Sequence, residues 1–254
     1  SDLICKSIKP KFIFISVSGN KNIFNKSTLN KMVKSMKQEQ KLFGFKLSGG
    51  DTTFSKISSF TVTSVGFAQN IIYRNKAKNK DDIYVTGYLG DSFIGLKILQ
   101  KKIKTNIKNK KYFIEKYYLP DLPIKFLNYL PIYANTSMDV SDGIFSDLIK
   151  LIGNQKLGFT LNIKQIPISS QLSSYIKTKK NYNLENLVSN GDDYQILFTA
   201  SKKYRKQIER VSKRINQPIT RIGVINNKDK RFEIINEKNI KKLAKSLGYT
   251  HKFK

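Results

Sequence analysis

The sequence predicts a mixed α/β protein of two lobes, and three observations carry that expectation. Short runs of β-branched and aromatic residues alternate along the chain with segments whose apolar residues recur at helical spacing. The 254 residues suffice for two medium domains, each with a core that stands without disulfides. Composition shifts around residues 72–80, which divides the chain into domains 1–72 and 73–254.

In the first lobe the run KFIFISVS at 11–18 reads as a buried strand. Leu29, Met32, Val33 and Met36 then repeat at the i, i+3, i+4, i+7 spacing, predicting a helix with Ser27 as N-cap and Gly44 as its stop. A short strand at 45–48 runs into a loop, Gly49-Gly50-Asp51-Thr52-Thr53, and residues 57–66 read as another strand. In the second lobe a turn at 73–81 leads to a strand at 82–86, a bend at 87–90 and a helix opened by Asp91. Pro120 and Pro123, beyond a lysine-rich stretch, mark a loop and a helix start. A strand at 136–140, a turn at 141–143 and a helix from Ile144 that stops at Gly153 follow. Strands at 159–163, 194–199 and 219–225, an amphipathic helix at 202–215 and a terminal helix at 240–247 complete the chain. No internal repeat is visible.

Hydrophobic residues make up 39% of the chain, yet no apolar run approaches the roughly 20 residues that span a bilayer, so a globular protein off the membrane is expected. The opening residues carry no secretory pattern, and the single cysteine, Cys5, excludes an internal disulfide framework and fits a reducing cytoplasm. A formal net charge of +29 invites a nucleic-acid partner. Composition argues against one: arginine, the residue suited to bidentate phosphate and base contacts, stands only at 74, 205, 210, 214, 221 and 231, and the rest is lysine spread along the chain. Against that background the 18 acids are informative, because several pairs sit beside glycine or a hydroxyl residue at the end of an apolar run.

Gly49-Gly50-Asp51-Thr52-Thr53 is the first such place. Two glycines let the backbone approach a ligand, and an aspartate adds a hard oxygen ligand suited to a nucleotide phosphate with its magnesium; a tight turn closed by an Asx bond is the plain alternative. Asp139-Val140-Ser141-Asp142-Gly143 delivers two carboxylates where a helix cap needs one, which favours a metal site over an N-cap at Asp142. Asn190-Gly191-Asp192-Asp193-Tyr194 puts two more carboxylates before a strand but taken alone reads first as a solvated turn. A P-loop signature is absent, no Cys/His cluster exists for zinc, and His251 is the only histidine. The remaining kit of aspartates, glycines, hydroxyls and an isolated arginine suits magnesium-assisted phosphoryl transfer.

The order Gly49-Gly50-Asp51-Thr52-Thr53, Arg74-x-x-Ala77-Lys78, Asp82 to Gly87-x-x-Gly90-Asp91-Ser92, Asp139 to Gly143 and Gly191-Asp192-Asp193-Tyr194 resembles the thiamine-monophosphate kinases. These belong to the aminoimidazole ribonucleotide synthetase-like ATP-binding proteins. The resemblance implies a two-domain α/β fold, a homodimer formed through the N-terminal domain, and ATP with Mg2+ as co-substrate and cofactor. It implies magnesium ligands at Asp2, Asp51, Asp139 and Asp142, ATP contacts at Gly50, Asp51, Arg74 and Ser141, and substrate contacts at Asp192 and Tyr249, the last rivalled by packing on the terminal helix. Asp2 enters because Ser1-Asp2-Leu3 resembles a family metal motif. The chain starts inside that motif, so the resemblance implies a preceding segment bearing further ligands, and little activity or an exposed sheet edge without it. Cys5-Lys6-Ser7-Ile8 replaces a small-residue stretch, Lys78-Asn79-Lys80-Asp81 replaces Lys-Pro-Gly-Asp, and Asp192 stands for a glutamate.

The expected reaction moves the γ-phosphoryl group of ATP onto thiamine phosphate without a protein base. The rival functions are a selenophosphate or aminoimidazole ribonucleotide synthetase-like enzyme, a basic nucleic-acid-binding module, and a non-catalytic relative that binds nucleotide only.

Overall fold

The computed structural model describes residues 1–243 except 21, 23, 180–182, 229, 237 and 239. It divides into two compact units, Ser7–Asn70 and a larger one made of Ser1–Lys6 with Ile71–Lys254. The first six residues, assigned from the sequence to the first domain, therefore group with the second.

In the smaller unit strand β1 (Lys9–Gly19) lies at the centre of a three-stranded sheet. Helix α1 (Lys26–Phe43) carries the chain across to β2 (Lys46–Phe54), which pairs parallel to β1, and β3 (Ser59–Phe67) pairs antiparallel on the other side. Ser27 is not the helix cap. Asn25 is, its side chain accepting the Thr28 N–H, and Gly44 closes the helix in the left-handed conformation. The apolar stripe Leu29, Met32, Val33 and Met36 lines a cleft with Ile15 and Val17 of β1.

The Gly-Gly-Asp segment is also corrected. It is not a loop but the middle of β2, with Gly50 opposite Ile15 and Asp51 opposite Ser16. A side chain at position 50 would put its Cβ 1.9 Å from the Ile15 carbonyl oxygen, so close strand approach explains this glycine.

The larger unit contains β4 (Asp82–Thr86), α2 (Asp91–Leu99), α3 (Ile107–Tyr118), α4 (Leu130–Tyr133), β5 (Ala134–Asp139), α5 (Ile144–Ile152) and β6 (Gly158–Asn162). It continues with α6 (Ser170–Lys177), α7 (Leu184–Val188), β7 (Ile196–Ala200), α8 (Arg205–Arg214), β8 (Ile219–Asn226), β9 (Phe232–Ile235) and β10 (Lys241–Leu243). The strands form one sheet in the order β10-β9-β6-β8-β4-β7-β5, antiparallel except for the β6–β9 pair. Period-two alternation explains why it has two cores. Ile83 and Val85 of β4 join Ile94, Phe113, Phe145, Leu148 and Ile222 in one, while Tyr84 joins Phe126, Leu130, Phe198 and Ile208 in the other. Tyr84 and Phe198 stack at 5.2 Å between ring centroids. At the start of β4 the buried Asp82 is held by a bidentate Arg205 at 2.6 and 2.7 Å.

Two further corrections concern the ends of helices. The expected helix at 202–215 begins as a 3-10 turn, Lys202–Tyr204, before α8. Residues 241–243, expected in a terminal helix over 240–247, form β10 against β9; residues 244–247, like Tyr249 and His251, lie outside the described residues. Among the described residues no helix is long and apolar enough to cross a membrane.

Candidate phosphoryl-transfer site

At the C-terminal end of β5 the buried Asp139 opens a turn that leads into α5. The helix forms because Ile144, Phe145, Leu148, Leu151 and Ile152 make one buried stripe. Asp142 does not cap it: the N-cap is Gly143, which has no side chain to offer. The cap comes from inside. Oδ2 of the fully buried Asp147 accepts the backbone N–H groups of Ser141, Asp142 and Gly143 at 2.9, 2.9 and 3.1 Å. Three consecutive N–H groups form an anion-binding nest, here filled by an internal carboxylate. Burial pushes the Asp147 carboxyl above its ordinary pKa, and the Asp142 N–H and Lys150 pull it part of the way back.

Lys150 donates to Asp147 Oδ1 at 3.1 Å and also forms an ion pair with Asp142. Burial works against its charge, but these two carboxylates outweigh burial and hold its pKa above the usual lysine value.

The third acidic segment runs alongside this turn. Val140 donates to the Gln195 carbonyl at 2.8 Å, Tyr194 to the Val140 carbonyl at 2.9 Å and Asp192 to the Ser141 carbonyl at 3.0 Å. The approach is so close that a Cβ on Gly191 would fall 1.7 Å from the Ser141 oxygen. Asp192 and Tyr194 take positive φ values of 67° and 51°, a cost that sites held by their surroundings tolerate. The Tyr194 hydroxyl donates to Asp192 Oδ1 at 3.3 Å. Asp193 turns the other way, and both its oxygens accept the Gly90 N–H, at 3.1 and 3.0 Å. Burial raises its pKa well above the ordinary aspartate value despite that bond. It thus ties the segment to the start of α2, where Ser169 and Tyr112 hold Asp91 at 2.7 and 2.8 Å.

The N-terminal residues lie along β5. Ser1 Oγ donates to Asp139 Oδ2 at 2.8 Å, Ser137 Oγ to the Cys5 carbonyl, and Lys6 Nζ to the Ser137 carbonyl. Burial pushes the Cys5 thiol up to about 12, which makes it inert as a thiolate. Burial lowers the Lys6 pKa and Arg74 adds to that, while Cys5, Asp139 and Asp2 hold it up. Lys6, Arg74, Asp2 and Asp139 therefore share one electrostatic neighbourhood.

Of the residues expected at the site, Asp139, Ser141, Asp142 and Asp192 are brought together by the paired turns, with the exposed Asp2 and Arg74 each close enough to Lys6 to act on its charge. Gly50 and Asp51 are exposed on β2 of the smaller unit, where Asp51 Oδ1 accepts the Thr52 N–H at 2.8 Å. Among the described residues no three Asp, Glu, His or Cys side chains gather as a ready cation site. Magnesium nevertheless fits the donor set, since it is commonly bound by one or two carboxylates with substrate phosphates and water completing its shell. Asp147 and Lys6 were not anticipated, their only signals being an aspartate inside an otherwise apolar helix and a lysine in a stretch where small residues were expected; Asp193 was marked only as part of an acidic motif, without its tie to Gly90.

Residues 1–68 match the family described as AIR synthase related protein, N-terminal domain. Thiamine-monophosphate kinase of Buchnera aphidicola subsp. Schizaphis graminum (strain Sg) is 34% identical over 99% of this chain and 77% of its own length. The chain belongs to the thiamine-monophosphate kinase family. Its fold is similar to the crystal structure of the thiamine monophosphate kinase of Aquifex aeolicus, with a TM-score of 0.81 at 24% identity, covering 92% of this chain and 76% of that one. AaThiL complexed with AMPPCP and TMP gives a TM-score of 0.83 at 23% identity, covering 98% and 76%.

Proposed function

We propose that the protein transfers the γ-phosphoryl group of ATP to the terminal phosphate of thiamine phosphate, forming thiamine diphosphate. The supporting observation is a family relationship over 99% of the chain that coincides with a buried aspartate, Asp139, at a strand end, which acts together with Asp2 and Arg74 on the charge of Lys6. Asp2, Asp51, Asp139 and Asp142 are the proposed magnesium ligands. Bound magnesium supplies charge that offsets the repulsion between two anionic reactants. Gly50, Asp51, Arg74 and Ser141 are the proposed ATP contacts. The Ser141 N–H is committed to Asp147, so its contact comes from the hydroxyl.

No protein base is required. A phosphate monoester with a second pKa of about 6 is largely dianionic at neutral pH and attacks without losing a proton to the enzyme. The task of the chain is then to hold charges in place: Asp147 fixes the Asp139–Gly143 turn, and Arg74 steadies nucleotide phosphates. Asp192 and Tyr249 are the proposed contacts to the thiamine end. A homodimer through the smaller unit belongs to the same proposal, supported by the exposed Phe14, Phe54, Phe60, Val62 and Phe67 of its sheet. A cytoplasmic location also belongs to it, and the single free thiol fits that setting.

The test is thiamine diphosphate formation from ATP and thiamine phosphate by the full-length protein, resolved chromatographically, with and without Mg2+. Absence of thiamine diphosphate, or ATP consumption as fast with selenide or an aminoimidazole precursor in place of thiamine phosphate, overturns the assignment.

A further inference from the structure

Lys6 is a cation of the Asp139 neighbourhood to which neither the sheet nor the acidic motifs give a task. An ammonium carries three N–H donors, and among the described residues the Ser137 carbonyl is the one hydrogen-bond acceptor that Lys6 reaches. Its backbone is anchored as well: the Lys6 carbonyl accepts the Ile72 N–H at 3.3 Å, two residues before Arg74. Half-burial between the N-terminal segment and β5 restricts the stem, so the charge is held in place rather than swept through solvent. A lysine needed only to pin the segment gains nothing from a second cation nearby, since like charges repel. Here Arg74 is close enough to disfavour the Lys6 charge, and Asp2 and Asp139 stand near enough to favour it. Two cations kept beside two carboxylates suit a ligand that brings negative oxygens and a divalent metal together.

We propose that Lys6 is a phosphate-binding residue of this site, its two remaining donors taking oxygens of a phosphate ester bound beside Arg74 at the end of β5. The proposal rests on the phosphotransferase reading and deepens it by naming a contact contributed by a side chain that the sequence motifs do not include. A phosphate ester of either reactant satisfies the same donors, and the titrations separate them.

Lys6→Met keeps the apolar stem and removes the charge, and Lys6→Arg restores it. Each variant and the parent, all as the full-length protein, are titrated calorimetrically with AMPPCP, thiamine phosphate and pyrophosphate in the presence of Mg2+, and turnover is measured alongside. Loss of a charge-assisted phosphate contact weakens binding about tenfold or more. The expected result is that loss for one reactant and for pyrophosphate in Lys6→Met, with most of it recovered in Lys6→Arg; the reactant whose constant moves is the one Lys6 holds. A Lys6→Met protein with a lowered melting temperature but unchanged dissociation constants overturns the proposal and leaves Lys6 a structural pin. A parent protein that binds pyrophosphate but makes no thiamine diphosphate overturns the enzymatic reading instead, and the pyrophosphate arm still decides the role of Lys6.

Discussion

Replacing Asp147 with alanine removes the one carboxylate that satisfies three consecutive backbone N–H groups of the Asp139–Gly143 turn. A hydrogen bond to a charged acceptor contributes about 1.5–3 kcal/mol, but these three share a single oxygen and do not add fully. The carboxylate is itself penalised by burial, which offsets part of the gain. The Lys150 contact adds little, because that side chain is 40% exposed. The expected loss for Asp147→Ala is about 3 kcal/mol, and roughly half that for Asp147→Asn, which retains a neutral acceptor in the same place. Urea unfolding followed by circular dichroism measures both, and turnover under conditions where each variant remains folded reports on the turn itself. A destabilisation below about 0.5 kcal/mol with full turnover in Asp147→Ala would refute the idea that this carboxylate organises the site.

Arg74→Ala should raise the Michaelis constant for ATP at least about tenfold while leaving that for thiamine phosphate near its original value; the reverse pattern moves Arg74 to the other reactant. Asp139→Asn, nearly isosteric, should lower turnover about a hundredfold or more and weaken the response to Mg2+, with an unchanged metal profile ruling it out as a ligand. Asp193 predicts a pH effect. Its folded pKa lies above the unfolded value, so its contribution is present at acid pH and is lost as pH rises from the ordinary carboxylate range through the folded pKa. Melting temperatures across that range should therefore fall less steeply in Asp193→Asn than in the parent, and parallel curves would show that Asp193 is not the titrating group.

Much of the larger unit was legible because its signals are local. The stripe in α5 and its stop at Gly153, the strand before it and the apolar run of β4 all follow from periodicity within a dozen residues. Helix α3 was hidden by its lysines, which are good helix formers but mask the apolar Tyr112, Phe113 and Ile114 that seat it on the core. The acidic motifs marked where Asp139, Asp142 and Asp192 lie, since carboxylates are rare in this chain and each stands at the end of an apolar run.

What the sequence alone determined is thus the order of elements and the position of its sparse carboxylates, both of which depend on neighbours along the chain. Tertiary structure alone decided which carboxylates face a ligand and which hold the scaffold. Asp193 reaches Gly90, 103 residues away, although it stands in an acidic motif, and Asp147, which the motifs leave out, turns back onto its own helix start. Gly50 serves a close strand crossing instead of a loop because Ile15 of β1 leaves no room for a Cβ. A side chain's role is set by the partner that satisfies it, and partners separated by many residues meet only when the sheet brings them together.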